Sequence, residues 1–206
     1  MRILAINPGS TTTKIAVYED EQKVFVESIN HPEEELSHFV RVTDQYDYRK
    51  KHILNCLSNH AVPFEFDAII GRGGLGKPTR GGVYEVNAQL RLDMLNAQRK
   101  HACNLGCLIA YELAHMLPDC RALTADPVTV DEMEDVARVT GSTLMPRRSI
   151  WHALNQRAIA FRFAKEQNIQ HVSHAERQHT RNKKRVMEIL MNQTYRKKLI
   201  THETEH

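Results

Sequence analysis

The chain has 206 residues, 41% of them hydrophobic and 26% charged, a balance that suits one ordinary soluble domain with an appendage. No run of about 18 uncharged apolar residues occurs, since even Leu105 to Leu117 is interrupted by Glu112 and His115; no membrane span is expected. The net charge of +3 is uneven, because residues 171–206 carry eight Lys/Arg against four Glu, a net of +4, which leaves −1 for the first 170 residues. The basic character therefore belongs to the tail.

In chain order, Arg2 to Ile6 and Lys14 to Tyr18 read as strands, and Asn7-Pro8-Gly9-Ser10-Thr11-Thr12-Thr13 as a polar loop between them. The apolar start is too short for a secretion signal and runs straight into this strand pattern, so the cytoplasm is the expected location. Lys23 to Ile29 supplies a third strand. Pro32-Glu33-Glu34-Glu35 places proline and acids where a helix begins, and a helix or helix pair is expected to about Asn59. Asp67 to Ile70 is a short buried strand leading into Gly71-Arg72-Gly73-Gly74, and Gly81 to Val86 a turn and short strand. Helices are expected over Asn87–Gln98 and Asn104–Met116, a strand over Arg121–Ala125, and further helices over Asp131–Val139 and Ile150–Gln167. Three strands followed by helices alternating with short strands predict an α/β domain with a mixed sheet.

The loop after the first strand joins turn formers, hydroxyls and a cation, Lys14, which is the equipment for holding phosphate; a hydroxyl-rich hairpin would have the same composition. Gly71 to Lys77 has the spacing of a P-loop, but Pro78 stands where a Mg²⁺-binding hydroxyl is needed, and that reading is rejected. Arg72, after a strand, could grip a carboxylate or phosphate with its fork, or form a surface salt bridge. Asp126, before Pro127, could orient a nucleophile or Mg²⁺-bound water, or simply shape a turn. His152 opens a helix, where it could stabilise charge or cap and pack. Asp131, Glu132, Glu134 and Asp135 could attract a metal, but the preferred reading is that they offset a helix dipole in its first turns. Cys103 and Cys107, with His101 nearby, lack the second ligand pair of a zinc motif and are read as small buried thiols; all four cysteines are expected to be reduced.

Taken together, Asn7-Pro8-Gly9-Ser10-Thr11-Thr12-Thr13-Lys14 resembles the first phosphate-binding signature of the acetate and butyrate kinases. Gly71-Arg72-Gly73-Gly74-Leu75 with Gly81 to Asn87, Asp126-Pro127-Val128 to Met133, and His152-Ala153-Leu154-Asn155-Gln156 resemble butyrate kinase specifically. The resemblance covers residues 1–170. It implies a ribonuclease H-like first domain of the acetate and sugar kinase/actin type, ATP as co-substrate with Mg²⁺, and the conversion of ATP and butanoate to ADP and butanoyl phosphate. It further implies that Asn7 organises metal and phosphates, that Ser10 and Lys14 contact phosphate, that Arg72 binds the carboxylate or the transferring group, that Asp126 orients reacting groups, and that His152 stabilises developing charge. Gly76, Thr79 and Arg80 depart from the Leu and Ile-Pro that the resemblance implies around Lys77, while the flanking glycines remain.

Members of that family continue into a His-Leu-Gly-Gly-Gly-like second phosphate loop and an adenosine-binding domain. The residues from 171 to 206 carry neither, so a missing second domain is expected, with truncation or a frameshift near Gln167 to Gln170 and negligible activity in the chain alone. The tail has one amphipathic stretch, Val186, Ile189 and Leu190. Acetate kinase-like action on another short carboxylate is one alternative reading, and a non-catalytic binding or assembly module is another. Nucleic acid is a disfavoured partner, because Tyr195 is the tail's sole aromatic residue. An active oligomer in which another polypeptide provides the missing half of the cleft is left open, as is a homo-oligomer.

Overall fold

The computed structural model describes residues 1–142, 144–145, 147–150 and 152–166. It divides into two compact units, Met1–Asn155 and Gln156–His206. Of the second unit the described part is helical, with Arg162 Nε 3.0 Å from Glu166 Oε1. The boundary expected at residue 170 and the 171–206 tail with its amphipathic stretch lie outside the described residues.

The first unit is built on a six-stranded mixed sheet in the order β3-β2-β1-β4-β6-β5. Its strands are β1 (Arg2–Pro8), β2 (Thr12–Glu19), β3 (Gln22–Asn30), β4 (Ala68–Arg72), β5 (Val83–Glu85) and β6 (Arg121–Ala125). The first three form an antiparallel meander, β4 and β6 run parallel to β1, and β5 closes the far edge antiparallel to β6. The mixed α/β sheet predicted from the element order is thus present.

The helices are α1 (Glu33–Ser37), α2 (Tyr46–Asn59), α3 (Ala88–Leu95), α4 (Leu105–Ala114), α5 (Asp135–Arg138) and α6 (Ala153–Glu166), with 3₁₀ turns at Val42–Gln45 and Ala102–Asn104. The proline-and-acid start at residue 32 opens only the short α1, and the longer α2 follows it. α3 is capped by Asn87, whose Oδ1 accepts from the Leu90 amide at 2.9 Å, satisfying one of the orphan donors of a first helical turn.

Strand alternation decides the core. Leu4 and Ile6 of β1, Ile15 and Val17 of β2 and Ile69 of β4 are buried, and they pack with Ile53 and Leu57 of α2 and Leu105, Ile109 and Leu113 of α4. The other sheet face carries Ala5 and Asn7, Lys14 and Ala16, and Ile70 and Arg72, because these are paired or alternate with paired positions in the register.

Two findings differ from the sequence expectations. β1 and β2 each extend into the polar loop, with Asn7 paired to Lys14 and Pro8 to Thr13, so only residues 9–11 remain as the turn. The helix expected over 131–139 shrinks to Asp135–Arg138. Val130 bridges Thr79 in parallel fashion and the Asp131 amide donates to the Thr79 carbonyl at 2.7 Å, which holds the start of that segment extended. Asp131 pairs with Arg138 at 2.9 Å and Glu132 accepts from the Gly81 amide, so of the acidic cluster Asp135 is the one that stands in the first turn of α5. No group of three or more His, Cys, Asp or Glu that could hold a metal occurs among the described residues.

The rejected P-loop segment is strand and turn: Gly71 and Arg72 end β4, and Gly73 and Gly74 follow with φ of 91° and 114°. Gly71 is fixed by contact with α4. A Cβ on it would lie 2.2 Å from the backbone carbonyl of Gly106, so helix and strand meet backbone to backbone. Buried Cys107 lies beside that contact, and burial pushes its thiol up to about 12, the state of an inert packing residue. The four cysteines are free thiols. No helix among the described residues is long and apolar enough to cross a membrane.

The Gly71–Gly106 contact yields a sharp expectation. Gly71→Ala would force α4 away from β4 and cost at least about 3 kcal/mol, above the usual range for overpacking because the obstacle is backbone. Urea denaturation compares this variant with Gly141→Ala, where a Cβ meets nothing within 4 Å; equal midpoints would contradict the packing argument.

Candidate functional site

Parallel strands β1, β4 and β6 end side by side, and the loops beyond their carboxyl ends are where an open α/β sheet gathers ligand groups. Asn7, Arg72 and Asp126 stand at those three ends. Asp126 is the hub. Its Oδ2 accepts from Arg72 Nε at 3.2 Å and Nη2 at 3.0 Å, and it lies 3.1 Å from His152 Nδ1. Its Oδ1 accepts from the amides of Leu154 and Asn155 at 3.0 and 3.4 Å, capping the start of α6 from outside the helix.

Asp126 is almost wholly buried, 5% exposed, and takes a left-handed backbone with φ of 53°. Non-glycine residues adopt this conformation infrequently, and aspartate is among those that tolerate it. The kink re-aims the side chain from the strand direction toward both Arg72 and α6.

Arg72 is held from two sides. Besides Asp126, its Nη1 donates to Asn7 Oδ1 at 3.5 Å, at the long limit of a hydrogen bond. These contacts leave further N–H groups of the guanidinium for an incoming oxyanion. His152 Nδ1 faces two acceptors of Asp126, Oδ2 and the carbonyl oxygen at 3.3 Å. It therefore carries the proton, which leaves Nε2 as the ring's remaining polar atom. Asn7, Arg72, Asp126 and His152 thus form one connected cluster.

Ser10 and Lys14 are placed differently. Both are exposed, and neither hydrogen-bonds to that cluster among the described residues. Lys14 stands directly opposite Asn7 in the β1–β2 ladder, so the two side chains share a sheet face. Ser10 is at the tip of the turn, and its carbonyl faces inward.

What the turn faces is a residue absent from the sequence-derived site. Arg49 of α2 is fully buried, and its guanidinium donates to the carbonyls of Gly9 at 2.9 Å, Ser10 at 2.7 Å and Thr12 at 3.1 Å. It also donates to Thr13 Oγ1 at 3.1 Å, and to Gln45 Oε1 from Nε at 3.1 Å and Nη2 at 2.9 Å. The sequence did hold a signal for it. Arg49, Ile53 and Leu57 are four apart on one face of α2, and that face is buried; an arginine in such a stripe must find buried acceptors.

Beside it His31, 2% exposed, lies 2.8 Å through Nε2 from Thr13 Oγ1, and its amide donates to the Thr11 carbonyl. His31 Nε2 and Thr13 Oγ1 share this hydrogen bond beside the one Thr13 Oγ1 accepts from Arg49, and the ring is held neutral. Burial first, then the neighbouring Arg49 charge and His52, lowers the imidazole to about 4. A separate cavity of about 250 Å³, lined by residues including Tyr84, Met94, Thr124 and Pro127, touches none of the clustered four.

No protein-family model matches the chain. A probable butyrate kinase from Bacteroides thetaiotaomicron is 62% identical over 167 residues, which are 81% of this chain and 47% of the relative. Over those residues the chain is butyrate kinase-like. A probable butyrate kinase from Phocaeicola vulgatus is 49% identical over 164 residues, 80% of this chain and 46% of the relative. The chain spans about half the length of these probable butyrate kinases.

Solved structures agree on the architecture. A propionate kinase from Francisella tularensis subsp. tularensis SCHU S4 superposes with a TM-score of 0.55 at 12% identity, covering 82% of this chain and 50% of that one. Acetate kinase from Porphyromonas gingivalis gives 0.52 at 15% identity over 82% and 49%, and that from Entamoeba histolytica 0.55 at 14% over 84% and 48%. At such identities these likenesses show the fold, the actin-like, ribonuclease H-type arrangement of acetate kinases, expected from the butyrate kinase-like motifs.

The neutral buried His31 makes stability depend on pH. The unfolded chain protonates this imidazole below about pH 6.5, while the folded chain refuses the proton until about pH 4. Folding is thus unaffected by His31 above pH 6.5 and loses up to about 3 kcal/mol as pH falls from 6.5 to 4. In urea titrations across that window, His31→Gln should lose less stability than the parent protein; parallel losses would place the imidazole's titration elsewhere.

Proposed function

We propose that the described domain supplies one wall of a carboxylate kinase site that transfers the γ-phosphoryl group of ATP to butanoate, giving ADP and butanoyl phosphate. The observation that carries this reading is the placement of Arg72. Its guanidinium is fixed by Asp126 and Asn7 with N–H groups to spare, beside His152 on the same carboxylate. Phosphoryl transfer asks little covalent chemistry of a protein and depends on aligning two oxyanions and spreading the charge that develops between them.

In this reading Arg72 binds the carboxylate or the moving phosphoryl group in a forked geometry that lysine could not reproduce. Asp126 keeps Arg72 and His152 in register, and Nε2 of His152 meets oxygen charge on the transferring group. Ser10 contacts phosphate from the β1–β2 turn and Lys14 from the start of β2. The oxygen set fits Mg²⁺ in its common mode, held chiefly by phosphate and water: Asn7 Oδ1 is the protein oxygen to contribute, since Asp126 is already engaged by Arg72, His152 and two amides. The bound ion would offset phosphate charge. The same reading places the protein in the cytoplasm, where ATP is supplied.

A chimera tests this function without depending on chain length. Residues 1–166 replace the matching segment of the Bacteroides thetaiotaomicron relative, and butanoyl phosphate is trapped with hydroxylamine. ATP- and butanoate-dependent hydroxamate is expected, with kcat/KM lowered about 10²–10³-fold by Arg72→Gln, the scale seen when one charge-stabilising donor is removed. A folded chimera without activity, or an Arg72→Gln form as fast as its parent, overturns the proposal.

A further inference from the structure

We infer that Arg49 is a positioning residue for the β1–β2 turn, holding its backbone in the shape that receives a phosphate group and charging that turn from beneath. The inference deepens the kinase reading and rests on it for the choice of ligand class, a phosphate or polyphosphate oxyanion.

The first argument is peptide geometry. In a trans peptide the carbonyl of one residue and the amide N–H of the next point in opposite directions. Arg49 draws the carbonyls of Gly9 and Ser10 inward, at 2.9 and 2.7 Å. The amides of Ser10 and Thr11 are thereby turned outward, and neither donates to another group among the described residues. Adjacent outward N–H groups in a turn form a concavity for an anion. The hydroxyls of exposed Ser10 and Thr11 rim the same turn.

The second argument is charge. Arg49 is 0% exposed, and the partners of its guanidinium are three carbonyls, a hydroxyl and an amide oxygen, all neutral. No carboxylate pairs with it among the described residues. A buried cation lacking a counter-ion is costly to keep, and desolvation lowers this guanidinium to about 10, still protonated at neutral pH. Neighbouring His31 adds no charge, since it is held neutral. An oxyanion seated on the Ser10 and Thr11 amides would supply the missing opposite charge across a thin layer of backbone, where screening by water is weak. A purely structural clamp would be served as well by a neutral side chain or by a buried ion pair; the uncompensated charge is what points to a ligand.

The test uses the ¹⁵N-labelled 206-residue chain titrated with pyrophosphate at constant ionic strength, with chloride as control. The Ser10 and Thr11 amides and the Arg49 guanidinium signals of the unsubstituted protein should shift together and saturate. Arg49→Met should weaken pyrophosphate binding at least about 10-fold, and Arg49→Lys, which keeps the charge but loses the fork, should fall between. Folding of each variant is checked from the β4 and β6 amide signals. Where Arg49→Met fails to fold, the guanidinium signals of the unsubstituted protein decide alone: movement with pyrophosphate supports the role, and Ser10 and Thr11 shifts without it overturn the role. Affinity within twofold of the parent in a folded Arg49→Met or Arg49→Lys protein also overturns it, as does absence of any shift in the unsubstituted chain. Failure of the kinase reading has a different signature, a chimera inactive toward butanoate while the turn still binds pyrophosphate through Arg49.

Discussion

A guanidinium taken fully out of water must have its donors met by the protein, and this requirement organises the first unit. Arg49 satisfies it with the backbone of the β1–β2 turn and the side chains of Thr13 and Gln45. The turn is consequently tied to the first turns of α2, and α2 is in turn seated on the sheet by Ile53 and Leu57. A three-residue turn of small and hydroxyl residues would otherwise have many backbone choices. Here it has one, set by a side chain some forty positions later in the chain.

The second anchor is at the other side of β1. Gly71 and Gly106 allow α4 to approach β4 until their backbones touch, and this fixes where β4 ends and therefore where Arg72 stands. Asp126 then joins the ends of three chain segments, because one carboxylate accepts from Arg72 with one oxygen and from the α6 amides with the other. The architecture separates the two tasks of an oxyanion-handling site. The turn over Arg49 presents backbone amides, and the Arg72 cluster presents a side-chain charge held from two sides. β1 is the shared element, with Asn7 beside Arg72 and Pro8 at the edge of the turn.

Local signals were readable in the sequence where the chemistry itself is local. β6 spans Arg121–Ala125 as its apolar pattern indicates, and the turn between β1 and β2 announces itself by glycine and hydroxyls. The four residues named at strand ends and at the start of α6 meet in one cluster, because strand ends of a parallel sheet are neighbours by topology. The sequence reading passed over Arg49 and His31, whose partners in and beside the β1–β2 turn lie 18 to 40 positions away. It also overextended the helix at 131–139, since helical composition there is overridden by the extended bridge from Val130 to Thr79. Residues that act through distant partners leave only indirect traces, such as a charged side chain inside an apolar helical stripe.

Asp126 is asked for two things that seldom coincide in one amino acid. Its backbone needs the left-handed conformation, which asparagine and glycine accept readily, and its side chain needs a short anionic carboxylate with two usable oxygens. Asparagine would keep the kink and surrender the charge that holds Arg72; glutamate would keep the charge but add a methylene and strain the turn. The position therefore has no conservative neighbour in the amino-acid alphabet. Drift there is closed off from both sides, by conformation and by charge, so a chain that departs from aspartate at this point gives up either the bend or the link between β4 and α6.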